Sequence, residues 1–82
     1  MPTVPRIDGY VIVIYLHDHG PAHVHVFAHG CEGIVDLNCP NGEPEAREFY
    51  RCKARDVKDV LRIVGKHQER LCAMWKEIHG KL

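Results

Sequence analysis

The 82-residue sequence lacks long hydrophobic runs, an excess of charge and internal repeats. Its longest apolar stretch, residues 10–16, is far shorter than the roughly 20 residues that a membrane-spanning helix needs, so no membrane association is expected. The basic and acidic residues balance to a net charge of +0, which argues against strong, sequence-independent binding to nucleic acid or anionic lipid. The N-terminus lacks the apolar region of a signal peptide, and we therefore expect a cytoplasmic protein.

A Cys-x-x-Cys motif is also lacking, although the chain has four cysteines: Cys31, Cys39, Cys52 and Cys72. Because a reducing cytosol disfavours disulfides, we predict free thiols that are buried or half-buried. A zinc site that uses Cys31 and Cys39 is an alternative, but the seven residues between them match no common zinc motif.

What is present indicates one domain, residues 1–82, since single cores usually occupy 50–200 residues. β-branched and aromatic residues, or strict alternation, predict strands over 10–16, 23–28, 34–37 and 46–53. In the second of these strands, His23 and His25 share one face while Val24 and Val26 share the other. Asn41-Gly42 is the strongest hairpin signal in the chain.

The hydrophobic period changes to that of a helix from about Asp56. We predict one amphipathic helix over residues 56–79, in which Gly65 is tolerated. The chain is therefore predicted to be an α+β domain of ββββα order, a small antiparallel sheet of three to four strands packed against one long helix. The apolar stripe of the helix is formed by Val57, Leu61, Val64, Gln68, Leu71, Trp75 and Ile78.

The length of this helix predicts self-association. Its 24 residues would span about 36 Å, whereas a compact chain of this size is only about 30 Å across. Leu71, Trp75 and Ile78 would then overhang the sheet and remain exposed. A homodimer is the commonest way to cover such a surface.

The segment from Asp18 to His25 is dense in histidine and is the best candidate for a site. His23 and His25, two apart on a strand, lie close enough to bind one metal ion, and Asp18 or His19 could supply a third ligand. These donors suit zinc, iron, copper or nickel. The alternatives are metal-free acid–base catalysis and exposed or turn-stabilising histidines without a ligand.

A second candidate is the basic segment Arg47, Phe49, Arg51 and Lys53, which would share one face of a strand. Cations interleaved with an aromatic ring are typical of RNA-contacting sheets. The alternative is an edge strand whose basic residues face solvent, with Phe49 in the core. Trp75 is likewise either a core anchor or part of a partner surface.

Three blocks resemble a family of small bacterial proteins catalogued as a domain of unknown function: Met1-Pro2-Thr3, Asp18-His19-x-Pro21-x-His23-x-His25 and His67-x-Glu69-x-Leu71-x-x-x-Trp75. Family members usually carry Pro-Pro where this chain has Pro21-Ala22, which predicts a less rigid turn. The resemblance implies a protein encoded beside another small protein, in an arrangement similar to a toxin–antitoxin operon. We therefore expect a regulatory or protein-interaction module, with a metal-dependent hydrolase or small ribonuclease as the alternative.

Overall fold

Five strands come first in the chain and two helices follow, in a computed structural model that describes residues 6–81. The extended start that Pro2 and Pro5 predict lies outside the described residues. The strands are β1 (Arg6–Ile7), β2 (Tyr10–Val13), β3 (His23–Ala28), β4 (Cys31–Asp36) and β5 (Glu45–Tyr50), and the helices are α1 (Ala54–Lys66) and α2 (Gln68–His79).

Each strand pairs antiparallel with the next, so the sheet has the order β1-β2-β3-β4-β5. The α+β class is therefore confirmed, but within residues 6–81 the sheet has five strands instead of the predicted three to four. Strand β1 has only two residues and is too short to show a period in the sequence. It pairs with β2 through the two-residue turn Asp8-Gly9, in which both φ angles are positive (51° and 83°), as tight hairpin turns require.

The same kind of turn, His29-Gly30, joins β3 to β4, with φ angles of 50° and 79°. The Asn41-Gly42 signal lies instead in the longer connection between β4 and β5. A hairpin therefore forms there, but its loop is not a two-residue turn.

The core lies between one face of the sheet and the helices. On the sheet, Ile12 pairs with Val26 and Val24 pairs with Val35, and all four are completely or almost completely buried. The buried helix residues that cover them are Val60, Ile63, Val64, Leu71, Cys72 and Trp75.

The prediction of one uninterrupted helix is wrong, because α1 ends at Lys66 and α2 begins at Gln68. His67 between them leaves helical geometry, with φ −110° and ψ 16°. A straight helix of this length would exceed the 34 Å longest dimension of the protein. Beyond the break at His67, Leu71, Cys72 and Trp75 of α2 lie in the core.

The premise of the dimer prediction fails for the same reason. Leu71 and Trp75 are only 1% and 2% exposed within the single chain, and Ile78 is half-buried. These side chains need no second copy to cover them. Whether the protein self-associates stays a prediction.

The cysteine prediction is also wrong, since the structure joins Cys31 to Cys52 and Cys39 to Cys72. Antiparallel pairing of Glu32 with Tyr50 brings the first pair together at the end of the β4–β5 ladder. The second pair connects the loop after β4 to α2. Sequence spacing does not reveal either approach, because both depend on the sheet register and on helix packing.

Within residues 6–81, no helix is long and apolar enough to cross a membrane.

Candidate functional site

The site begins with two histidines on β3. His23 and His25, which alternate with the core residues Val24 and Val26, share one face of the strand. Their rings lie with centroids 5.3 Å apart. The side chain of His23 is 7% exposed and that of His25 is 16% exposed, so neither is the freely solvated strand histidine that the sequence left open.

Asp18 reaches this pair from the turn before β3. Its Oδ2 atom lies 3.5 Å from Nε2 of His23 and 3.5 Å from Nε2 of His25. The backbone amide of Tyr15 donates to the same carboxylate at 3.2 Å, and the amide of Asp18 donates back to the Tyr15 carbonyl at 3.2 Å. The turn therefore fixes the carboxylate between the two imidazoles. Of the two predicted third ligands, the structure brings in Asp18.

The proton positions at His23 follow from its other nitrogen. Nδ1 lies 2.9 Å from the carbonyl oxygen of Pro21, which can only accept a hydrogen bond, so Nδ1 carries a proton. In a neutral ring, Nε2 then presents a lone pair toward the carboxylate of Asp18. Two electron-rich atoms this close are stable only if a proton or a metal cation lies between them.

His25 has the same requirement. Among the described residues, its Nε2 is buried and has no hydrogen-bond partner. A buried polar atom without a partner costs free energy. The ligand atoms of Asp18, His23 and His25 all lie within 4.8 Å of one another, so one cation at their centre would satisfy all three.

An aromatic ring packs against each of the two histidines. The ring of Tyr15 lies edge-on to His25 at 4.8 Å, and the Trp75 ring lies 5.2 Å from His23. Trp75, predicted as either a core anchor or a partner contact, is thus a core residue that also supports the site.

A small cleft opens beside the cluster. Its volume is about 210 Å³. The lining residues are Asp18, His19, Gly20, Trp75, His79 and Lys81. His19 is exposed in this cleft and does not join the group that Asp18, His23 and His25 form.

Sequence reasoning missed Tyr15, His79 and Lys81. The His79 ring packs on Trp75 at 4.1 Å, and its buried Nε2 has no partner among the described residues. The spacing of four residues predicts that His79 and Trp75 meet on a helix. That Trp75 then packs on His23 is a contact between distant parts of the chain, for which the sequence carries no signal.

The basic segment does not form one surface. Between Ile34 and Val35 the pairing of β4 with β5 shifts register. Phe49 packs under Gly33 and against the core, whereas Arg47 forms an ion pair with Asp36.

The other two residues of this segment follow the strand. Arg51 lies beyond β5 with a positive φ of 57°, and Lys53 is the exposed cap residue of α1. Phe49 is therefore not an exposed ring among these cations. RNA contact by these residues stays a prediction.

A larger and more open groove, about 570 Å³, runs along α1 between Ala54 and Leu61. Its lining residues are Ala54, Arg55, Val57, Lys58 and Leu61. These include no histidine, cysteine or carboxylate. The described residues of this groove therefore offer no donors for a metal site.

Comparison with known proteins gives a family but no activity. No curated protein matches the chain, and no solved structure matches it. Residues 9–76 match a family described as "Domain of unknown function (DUF4160)". That segment includes Asp18, His23, His25 and Trp75, while His79 and Lys81 follow it. Since the match covers well over half of the sequence, the chain belongs to the DUF4160 family.

Proposed function

We propose that the protein binds one divalent transition metal ion through Asp18, His23 and His25, and that the metal-bound domain acts as a small regulatory or interaction module. The observation that carries the proposal is the position of Asp18 Oδ2, 3.5 Å from both Nε2 atoms. A tetrahedral ion with bonds of about 2.0–2.1 Å separates its ligands by roughly 3.3–3.4 Å. Two of the three ligand separations are therefore close to those of a coordination shell.

Hydrogen bonds behind the ligands support the same proposal. Metal-binding histidines usually donate their other ring N–H to a carbonyl or carboxylate, which fixes the ring and raises its basicity. The carbonyl oxygen of Pro21 accepts such a hydrogen bond from Nδ1 of His23. The Tyr15 amide holds Asp18 in the same manner.

Three protein ligands leave a fourth position open, as in catalytic rather than structural zinc sites. The cleft is lined by Asp18, one of the three ligands. Metal-assisted hydrolysis, including ribonuclease activity, is therefore the second candidate function. Two imidazoles and a carboxylate suit zinc, iron, copper and nickel, and zinc is the reference ion for the tests below.

The interaction role is supported by exposed apolar side chains near the site. Tyr15 is 41% exposed while its ring contacts His25, and Leu16 is 53% exposed. A partner that covers them would lie beside the metal. The product of a neighbouring gene, as in a toxin–antitoxin-like operon, and a second copy of the chain are the partners that we propose.

The cytoplasmic location stays a prediction. Two disulfides are more typical of an oxidising compartment. If the protein does work in the cytosol, thiol counting on protein from freshly lysed cells will show whether the bridges form there.

Calorimetric titration of the protein, produced without a histidine tag, with zinc tests the metal site. We expect a 1:1 complex with Kd below about 100 μM, or about 5.5 kcal/mol of binding free energy. Asp18→Asn and His25→Ala should weaken binding at least about tenfold, since each removes a ligand. His29→Asn is the matched control, because His29 is exposed at a turn outside the cluster and Asn tolerates its positive φ.

Weaker binding than this in the parent protein, or an equal loss in all three variants, would contradict the metal site. An RNA-cleavage assay of the zinc-loaded protein separates the two candidate functions. Cleavage that disappears in His25→Ala would favour the hydrolase.

A further inference from the structure

Two groups in the cleft have no role in holding the metal. Lys81 supplies an ammonium group, and His79 supplies a buried Nε2 that has no hydrogen-bond partner among the described residues. Leaving such an atom unpaired costs free energy unless a ligand provides the partner. The cleft therefore contains a buried imidazole nitrogen without a partner and a cation, beside the carboxylate of the metal cluster, Asp18.

The charge of the cleft depends on the metal. Among residues 6–81, Asp18 is the only carboxylate that lines the cleft, and in the metal-free protein the charge of Lys81 balances it. A bound divalent ion would leave these charged groups of the cleft with a net positive charge. An anion is the ligand that this arrangement favours.

The size and the number of donors narrow the class of anion. At about 210 Å³, the cleft is smaller than the roughly 300–1,000 Å³ of pockets that take drug-sized ligands. It therefore suits a small group rather than an extended substrate. The metal, Lys81 and His79 offer three separate partners, which a phosphate can meet with three oxygens and a carboxylate cannot.

We propose that this cleft binds a phosphate group, either free or as a monoester, with Lys81 and His79 holding the oxygens that do not face the metal. The proposal rests on the metal site proposed above. Its residue prediction is distinct, since Lys81 and His79 are not among the metal ligands.

Cobalt(II)-substituted protein provides the test, because the visible absorption of the ion reports its ligands. We expect inorganic phosphate to change the spectrum saturably, and phenyl phosphate tests the esterified form. Lys81→Gln and His79→Phe should each raise the phosphate Kd about tenfold without abolishing the cobalt spectrum. Phe keeps a ring on Trp75, and Lys66→Gln and His29→Asn are the matched controls.

The outcomes are separable. Absence of a cobalt spectrum in the parent protein would overturn the metal site and this inference with it. A cobalt spectrum that phosphate leaves unchanged, or equal phosphate affinity in Lys81→Gln and the controls, would overturn the phosphate site alone. If His79→Phe unfolds, Lys81→Gln still decides, because Lys81 is exposed and lies beyond the end of α2. A response to both phosphates identifies a monoester site, and a response to inorganic phosphate alone identifies a site for the free ion.

Discussion

The side-chain amide of Gln68 donates a hydrogen bond to the backbone carbonyl of Leu37, at 3.0 Å. The same amide also donates to the carbonyl of Gly42. The first residue of α2 is thereby tied to the loop that follows β4. This link explains why a polar residue interrupts the apolar stripe of the helices.

Replacing Gln68 should therefore destabilise the fold. We expect Gln68→Ala to lower the free energy of unfolding by about 1–3 kcal/mol, because the Leu37 carbonyl loses its partner. Gln68→Glu should cost at least as much, since a carboxylate cannot donate to either carbonyl. Urea unfolding followed by circular dichroism measures both. Glu69→Ala, at the exposed neighbouring position, should stay within about 0.5 kcal/mol of the parent.

Two glycines should respond to alanine in opposite directions. At Gly33, a Cβ atom would lie 2.7 Å from Cδ2 of Phe49, so we expect Gly33→Ala to cost about 1–3 kcal/mol. At Gly65, a Cβ atom meets nothing within 4 Å, so Gly65→Ala should stabilise α1 by up to about 1 kcal/mol. Thermal unfolding of the two variants compares them directly. Gly33→Ala at parent stability would contradict the close approach of Phe49.

Each disulfide should contribute to stability. Loops of 21 and 33 residues correspond to about 3–4 kcal/mol each on the chain-entropy estimate. We also expect the variant lacking Cys39 and Cys72 to bind zinc more weakly than the one lacking Cys31 and Cys52, because Cys72 lies on α2 with Trp75. Thiol counting, denaturant unfolding and zinc titration check these points. Four reactive thiols in unreduced protein would contradict both bridges.

Stability at alkaline pH should depend on Tyr10. Burial raises the pKa of its phenol above the ordinary value of 10.0, and the carboxylates of Asp59 and Asp56 raise the pKa further. The folded state therefore holds the proton more tightly than the unfolded chain does. The resulting stability is complete below about pH 10 and is lost as the pH rises through the folded-state pKa.

Tyr10→Phe removes this ionisation. Its free energy of unfolding should fall less steeply than that of the parent protein above about pH 10, while the difference between the two stays constant from pH 7 to 9. Urea unfolding across this range measures both slopes. If the free energies of unfolding of the two proteins fall with equal slope above pH 10, ionisation of Tyr10 does not cause the loss of stability.

Structural features that depend on local sequence patterns could be predicted. Alternation located β3 at residues 23–28, and the i, i+2 spacing paired His23 with His25, because both features repeat with the pleat of a strand. The turn before β3 also brings Asp18, one of the two proposed third ligands, to the pair, while metal binding by these residues stays a prediction. These predictions needed no knowledge of which strands are neighbours.

Features that depend on contacts between distant segments were missed. The bridge between Cys39 and Cys72 and the packing of Trp75 on His23 both require that α2 pack beside segments far away in the sequence. The register shift beside Ile34 separates Arg47 from Phe49, although simple alternation places them on one face. Strand β1 was missed for another reason, since two residues cannot show a period.

The two disulfides overlap along the chain, because Cys39 lies inside the segment that Cys31 and Cys52 close, and Cys72 lies outside it. A single cut between Cys39 and Cys52, for example at the exposed Asn41-Gly42 pair, would leave each fragment with one cysteine from each bridge. A protease that nicks this loop would therefore produce no separate pieces until a reductant is added. The two disulfides therefore hold the two halves of the domain together even when the backbone between them is cut.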